Sequence, residues 1–508
     1  MARIFEIKLP KAIAKALQIP PTSARNEQIK ELKKLLKKAK DTEFGTEYNF
    51  SKILKSKHAG KSFQELVPIH DYNSMFNNWW SKTLDGTPNV TWPGQYPYYA
   101  LSSGTSEAAT KYIPITKDML RSHKVNMAKQ YVTLLNYKNL PLYALGKSML
   151  MIGGTTDLQQ SEHGWLAGDI SGILAKTKPF WFEGVYKPGK SVAAIKDWNK
   201  KVEKIVENAP KWDIGFIVGV PAWCQFCIEK IMERYNLKSI HELWPNFGFF
   251  VHGGVAFTPY KKAFEKLCTK PITYIENYLS SEGFIGYVDR QHATGIKLIT
   301  NNALFLEFVP FTQKNFGDDG VMVAKPEALM IHEVELGKEY ALLMTTNSGA
   351  WRYLIGDTVK FVDVEKCEII ITGRTKSFLS LVGEHLSVDN MNNAIEKASN
   401  ELNISIPEYT VVGVPVGSFF AHKWYIACNQ TVDTQRLKTI IDQHLRLIND
   451  DYAVERDSAL KDVLIEILPE KKFTDFLGLK GKLGGSFKFP RVLKGKALDE
   501  WNAYLASK

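Results

Sequence analysis

Tyr274-Ile-Glu-Asn-Tyr278-Leu-Ser-Ser-Glu282-Gly283 sets an aromatic, apolar lead against a hydroxyl pair, one carboxylate and a glycine. That change of character marks the end of a strand, and open α/β sheets place their ligands just outside strand ends. Tyr278 suits stacking on a base, Ser281 can donate a hydrogen bond, and the hard oxygens of Glu282 suit a divalent cation. Taken alone, Glu282 reads more readily as a surface carboxylate than as a ligand. Working outward, apolar runs of strand length alternate with amphipathic stretches such as 191–208 and 258–267 through residues 141–370. This alternation predicts α/β layers with parallel strands. Residues 321–364 carry shorter alternating segments and glycine turns, which predicts a more antiparallel unit. Beyond 376 the order is helix (389–402), strands (409–414 and 424–429), helix (434–447), then strand and tail, the pattern of a small α+β domain.

The composition of the 508 residues, 44% hydrophobic and 23% charged, excludes a disordered or collagen-like chain. Its longest apolar runs, 214–224 and 247–257, are too short to cross a bilayer and read as buried strands. With charged residues through its first turns and no apolar leader, the chain is expected in the cytoplasm. Five cysteines are too few for a disulfide framework. Cys224 and Cys227 form a C-x-x-C without a second pair, so a buried helical turn is expected there. The net charge of +11 splits into +8 on the first 60 residues, +6 on the last 38 and −3 between. Residues 24–40 place Ile29, Leu32, Leu35, Leu36 and Ala39 on one helical face, which makes the lysines a solvated opposite face rather than a nucleic-acid footprint.

Three further stretches carry chemistry. Leu101-Ser-Ser-Gly-Thr-Ser-Glu-Ala-Ala-Thr-Lys111 can turn backbone N–H groups and hydroxyls toward one polyphosphate, with Lys111 as a point charge; such clusters also serve as ordinary turns. In Trp351-Arg-Tyr-Leu-Ile-Gly-Asp357, Asp357 can take two sugar hydroxyls or cap an Asx turn. Gly184-Val-Tyr-Lys-Pro-Gly-Lys-Ser191 satisfies the P-loop pattern letter for letter, although no clean strand precedes it.

The order and spacing of the hydroxyl-rich loop, Tyr-x-Ser-Ser-Glu, Arg-Tyr-x-x-Gly-Asp and Gly373-Arg374, followed by a smaller domain, resemble the adenylate-forming superfamily. Within it the chain is similar to the acyl acid amido synthetases, which conjugate auxin, jasmonate or benzoates to amino acids. The likeness extends over Ala39-Lys-Asp-Thr-Glu-Phe-Gly45, Trp92-Pro-Gly94 and Gly485-Ser-Phe-Lys-Phe-Pro-Arg491. It implies a large N-terminal adenylation domain (1–375) of layered α/β sheets with a β-barrel-like subdomain, and a small mobile α+β C-terminal domain (376–508). It also implies that Ser102, Ser103, Gly104, Thr105, Ser106 and Lys111 hold phosphate, and that Tyr278, Ser281 and Glu282 hold adenine, phosphate and magnesium. Asp357 would take the ribose hydroxyls and Arg374 would lie beside the ribose and α-phosphate. Gly253 and Gly254 would stand where nucleotide and acyl group meet, and Lys488 would be the mobile catalytic lysine. Ala108 and Leu279 replace glycines common in the superfamily, and Lys376 and Ser377 replace its acidic hinge pair.

The function implied is an ATP- and Mg2+-dependent ligase that adenylates a small carboxylic acid and transfers the acyl group to an amino acid, without nucleic-acid or membrane partners. Transfer to coenzyme A is the alternative acceptor chemistry. A P-loop NTPase using 184–191, or a binding protein without turnover, are the remaining readings. His252 is the best-placed histidine for a base, with a satisfied strand-end histidine as its plainer role.

Overall fold

The computed structural model describes residues 23–507 except 104–109, 139, 255–256, 318–319, 376–378, 380, 382–385, 417–418, 450–451, 454–455, 457–459 and 481–488. The helix Ala24–Ala39 buries Leu32, Leu35, Leu36 and Ala39 as its periodicity predicts, and also Gln28 and Glu31. These two polar residues are buried because they bond backbone. Gln28 Nε2 donates to the carbonyls of Thr300 and Leu304, its Oε1 accepts from Leu306 N, and Glu31 accepts from Ala303 N. The helix thus closes polar groups at the start of a strand as well as covering its apolar face.

The strands are β1 (Tyr98–Ser103), β2 (Thr110–Ile115), β3 (Ser148–Ile152), β4 (Gln159–Gln160), β5 (Leu166–Gly168), β6 (Tyr186–Lys187), β7 (Ile214–Gly219), β8 (Phe249–Gly253), β9 (Thr273–Leu279) and β10 (Phe284–Tyr287). They continue as β11 (Ile296–Leu298), β12 (Leu304–Pro310), β13 (Leu329–Met330), β14 (Glu339–Thr346), β15 (Tyr353–Asp363), β16 (Glu368–Arg374), β17 (Tyr409–Val416), β18 (Phe419–Ala427) and β19 (Leu460–Leu468). One sheet runs β2-β1-β5-β4; a twelve-stranded sheet runs β13-β12-β14-β15-β16-β11-β10-β9-β8-β7-β3-β6. In the larger sheet β6, β3, β7, β8 and β9 are parallel, joined through helices such as Trp198–Asn208 and Pro221–Tyr235, whereas β9 to β16 pair antiparallel. The expected antiparallel unit therefore extends the parallel one edge to edge.

The third sheet, β17-β18-β19, packs on the helices Val388–Leu402 and Thr434–Ile448 around Met391, Trp424, Leu437 and Ile441, a smaller C-terminal unit with its own core. The tail is helical, Glu470–Leu479 and Gly495–Ala506, and closes over Phe473, Phe489 and Trp501. This unit meets the larger one through a polar joint. Tyr260, on the helix Thr258–Lys266, donates to Glu408 Oε1 at 2.9 Å, and Arg491 pairs with the same carboxylate and donates to Tyr409 O at 3.1 Å.

Cys224 and Cys227 lie buried in the helix Pro221–Tyr235, where burial pushes the Cys227 thiol up to about 12. Among the described residues, no helix is long and apolar enough to cross a membrane.

Candidate functional site

The C-terminal ends of β8 and β9 are held together by glycine. Gly253 pairs with Asn277, and a Cβ on it would fall 2.5 Å from the Asn277 carbonyl oxygen. Gly254 turns the chain away with φ +83°, left-handed backbone that glycine adopts without strain. β9 carries Tyr278 and then breaks, because Ser280 closes a turn: its N–H donates to Gly283 O and its Oγ accepts from the N–H groups of Glu282 and Gly283. Ser281 stays half-buried beside Glu282, which is 8% exposed.

Asp357 reaches this turn from β15. It lies inside the strand, opposite Arg374 of β16 in register, which excludes the Asx-turn reading: an extended ladder position has no turn to cap. Its carboxylate accepts from the Tyr278 hydroxyl at 2.7 Å and pairs with Arg374 Nε at 3.0 Å, while Arg374 Nη2 donates to Ile355 O. Residues 79 and 17 positions from Asp357 in sequence thus converge on one carboxylate. Burial, with the Asp357 charge, raises the Tyr278 phenol well above its ordinary range. The Asp357 charge leads the causes that raise Arg374. Burial first, and Asp357 after it, raise the Glu282 carboxyl. Tyr353, buried beneath, has its phenol raised by burial and by neighbouring Glu282. A buried carboxylate raised in this way gains from an added cation. Among the described residues no group of three or more His, Cys, Asp or Glu gathers around a metal position. A single carboxylate instead fits magnesium that arrives on substrate phosphates.

The hydroxyl-rich loop is framed by β1 and β2. Ser102 and Ser103 end β1, and Ser102 pairs in register with Lys111. The Lys111 ammonium lies 5.0 Å from the centre of the Tyr72 ring. Gly104, Thr105 and Ser106 lie outside the described residues, as does Lys488. Of the lysines near it, Lys480 is bonded to Glu500, and Lys494 occupies the N-cap of Gly495–Ala506.

The P-loop reading of 184–191 is overturned. Tyr186 and Lys187 form β6 at the edge of the sheet, the following helix Lys190–Ala193 has 4 residues, and exposed Lys190 pairs with Glu183 at 2.7 Å. The stretch is thus spent on an edge strand and a surface ion pair instead of a phosphate cradle. His252 is buried against Phe257, with ring centroids 4.3 Å apart; burial lowers its pKa to about 3, which weakens it as a base, and among the described residues its Nδ1 has no partner.

Some residues escaped sequence reasoning. Arg352 is buried with Glu307 at 2.9 Å and also donates to the carbonyls of Gln64 and Val67, which anchors the start of β15. A charge inside the apolar run Leu304–Pro310 was the available signal. Glu276, directly opposite His252 in the parallel register, is raised to about 7 by burial.

Comparison with known proteins meets this geometry. The indole-3-acetic acid-amido synthetase GH3.10 of Arabidopsis thaliana is 27% identical over 417 residues, 68% of this chain and 69% of the relative. GH3.2 of the same plant is 26% identical over 227 residues, 41% of this chain and only 38% of the relative. Among solved structures, the GH3.15 acyl acid amido synthetase in complex with 2,4-DB superposes with a TM-score of 0.77 at 15% identity, over 97% of this chain and 95% of that one. A 2-hydroxyisobutyryl-CoA ligase in its postadenylation state gives 0.58 at 11% identity, over 95% and 92%. At such identities the superpositions establish the fold alone. The N-terminal, central and C-terminal domains of the GH3 family match residues 21–203, 297–372 and 389–497 in that order, and with all three on one chain the protein belongs to the GH3 family.

Proposed function

We infer that the protein is an ATP-dependent acyl acid amido synthetase: it adenylates a small carboxylic acid and transfers the acyl group to an amine, an amino acid foremost. The observation that carries this reading is the Asp357 carboxylate, held between Tyr278 and Arg374 beside buried Glu282 at the open end of the parallel strands. A carboxylate has about four acceptor sites, so with two engaged Asp357 retains capacity for the ribose hydroxyls of ATP. Arg374 meets the sugar and α-phosphate, Lys111 and the loop from Ser102 to Ser106 hold the outer phosphates, and Glu282 is the residue that would hold magnesium. Bound there, magnesium would supply charge neutralisation on the phosphates.

In the first half-reaction a carboxylate oxygen of the acid attacks the α-phosphorus, and the bond to the leaving pyrophosphate breaks. Lys488, carried on a C-terminal domain that begins near 376, meets the growing charge. In the second, the acceptor amine attacks the acyl carbon, the bond to AMP breaks, and the amine gives up a proton. Positioning and electrostatics do most of this chemistry.

The test is exchange of labelled pyrophosphate into ATP across a panel of aryl and alkyl carboxylic acids, followed by product formation with amino acids or with coenzyme A. Exchange with at least one acid and an amide product are expected. Thioester in place of amide would make the protein an acyl-CoA ligase, and formation of ADP without AMP would end the adenylation reading.

A further inference from the structure

Glu282 also lines a second polar feature, one that the proposed reaction does not use. The helix Lys117–Thr133 buries His123 to 2% exposure, and among the described residues neither ring nitrogen has a hydrogen-bond partner. The ring is stacked near Phe284, centroids 6.1 Å apart, and burial lowers its pKa to about 4. The neutral imidazole therefore offers one donor and one acceptor. Leaving buried polar groups unmade costs about 1–3 kcal/mol, and native interiors commonly answer with an ordered water.

Beside the ring is a cavity of about 10 Å3, walled by Ser122, Asn126, Glu282, Asn302, Thr346 and Asn347 as well as His123. That is close to the smallest volume that accepts a water, and the walls are polar enough to hold one. They are also fixed. Asn302 Nδ2 donates to Ser122 O at 3.0 Å and to Asn126 Oδ1 at 2.6 Å, and Asn347 Nδ2 donates to Ser122 Oγ at 2.8 Å. These amide donors are spent on each other and leave His123 unpartnered among the described residues, while Glu282, already bonded to Ser280 and Tyr353, keeps acceptor capacity on its two oxygens for a water.

We propose that the cavity is a one-water site whose water links His123 to the Glu282 carboxylate, making His123 a positioning residue for the group that holds magnesium. The inference rests on the adenylation reading for the role of Glu282. Outer partners of this kind orient a metal-binding carboxylate and set its affinity.

His123→Phe keeps a ring of similar size and its stack but removes both nitrogens; His123→Gln restores a donor and an acceptor. His123→Phe should weaken Mn2+ binding to the protein–ATP-analogue complex, followed by electron paramagnetic resonance, by roughly 10-fold. The Mg2+ concentration for half-maximal pyrophosphate exchange should rise by the same factor, with little change at saturating Mg2+, and His123→Gln should recover most of the loss. Unchanged Mn2+ affinity together with a raised melting temperature in His123→Phe would overturn the proposal, because relieving an unpaired core histidine does just that. A high-resolution crystal structure of the unaltered protein provides the check independent of folding: a water between His123 and Glu282 is expected, and an empty cavity would overturn the site. Absence of exchange with every acid would strike the adenylation reading instead, while the crystallographic result would still decide the water.

Discussion

Asp357 has two partners, the Tyr278 hydroxyl and the Arg374 guanidinium. Asp357→Asn keeps the side-chain shape and removes the charge, a loss of about 1.5–3 kcal/mol for a charge-assisted contact. ATP affinity, measured by titration calorimetry, should fall by roughly 10- to 100-fold with the circular dichroism spectrum unchanged. Lys190→Ala, which breaks only the exposed pair with Glu183, should be silent in both measurements. Glu276 allows a pH test. Its carboxyl is raised to about 7 in the fold by burial, against an ordinary value of 4.5. The folded state therefore binds the proton more tightly, and stability from this group is full below pH 4.5 and lost as pH rises through 7. Glu276→Gln should remove that slope, gaining about 2–3 kcal/mol over the parent at pH 8 and nothing at pH 4. Denaturant unfolding at the two pH values checks the sign.

At the scale of elements, two glycines from two recognisable motifs part company. Gly253 ends β8 where any Cβ meets backbone of β9 at 2.5 Å, whereas Gly184 has nothing within 4 Å of its Cβ position. Backbone yields less readily than a side chain, so Gly253→Ala must push the two strand ends apart at a cost of about 1–3 kcal/mol. The displacement falls where Tyr278 leaves the sheet. Gly253→Ala should therefore lower the melting temperature and weaken ATP binding together, while Gly184→Ala leaves both at the parent's values. A parent-like Gly253→Ala would show that the strand ends are loose enough to take a methyl group.

At the scale of the whole molecule, the two units share the joint of Tyr260, Glu408 and Arg491. Arg491 also lies on a segment strapped to β17, with Val411 N donating to Arg491 O and Leu493 N to Val411 O. Lys488, three residues before Arg491 in the sequence, lies outside the described residues. If it meets charge only while the adenylate forms, Lys488→Ala should slow adenylate formation by roughly 100- to 1000-fold. Transfer from chemically synthesised acyl-adenylate should persist. Lys480→Ala, whose ammonium is already bonded to Glu500, should match the parent in both half-reactions measured by rapid quench. An equal loss of both steps in Lys488→Ala would place the lysine elsewhere in the mechanism.

Local pattern was enough to read much of this protein. The helix Ala24–Ala39 and the order of elements after Val388 follow from periodicity, because a buried face repeats every 3.6 or 2 residues wherever the element packs, whereas the strands expected over 214–224 and 247–257 stop at Gly219 and Gly253, and Pro221 already opens a helix. The burial of Cys224 and Cys227 on a helix, and the strand end before Ser280, were legible for the same reason. Only the tertiary structure decided what each polar residue does. Asp357 acts as a ladder position and not a turn because β16 pairs across it, and the Gly184 motif is an edge strand because β3 recruits it. Gln28 and Glu31 are buried on a face that composition marks as solvated, since backbone groups more than 270 positions away require partners. His123 and Glu282 face one cavity although nothing in their separate surroundings links them. Apolar burial is additive and local enough to leave a period in the chain, whereas a hydrogen bond depends on the position of two atoms that strand register alone brings together.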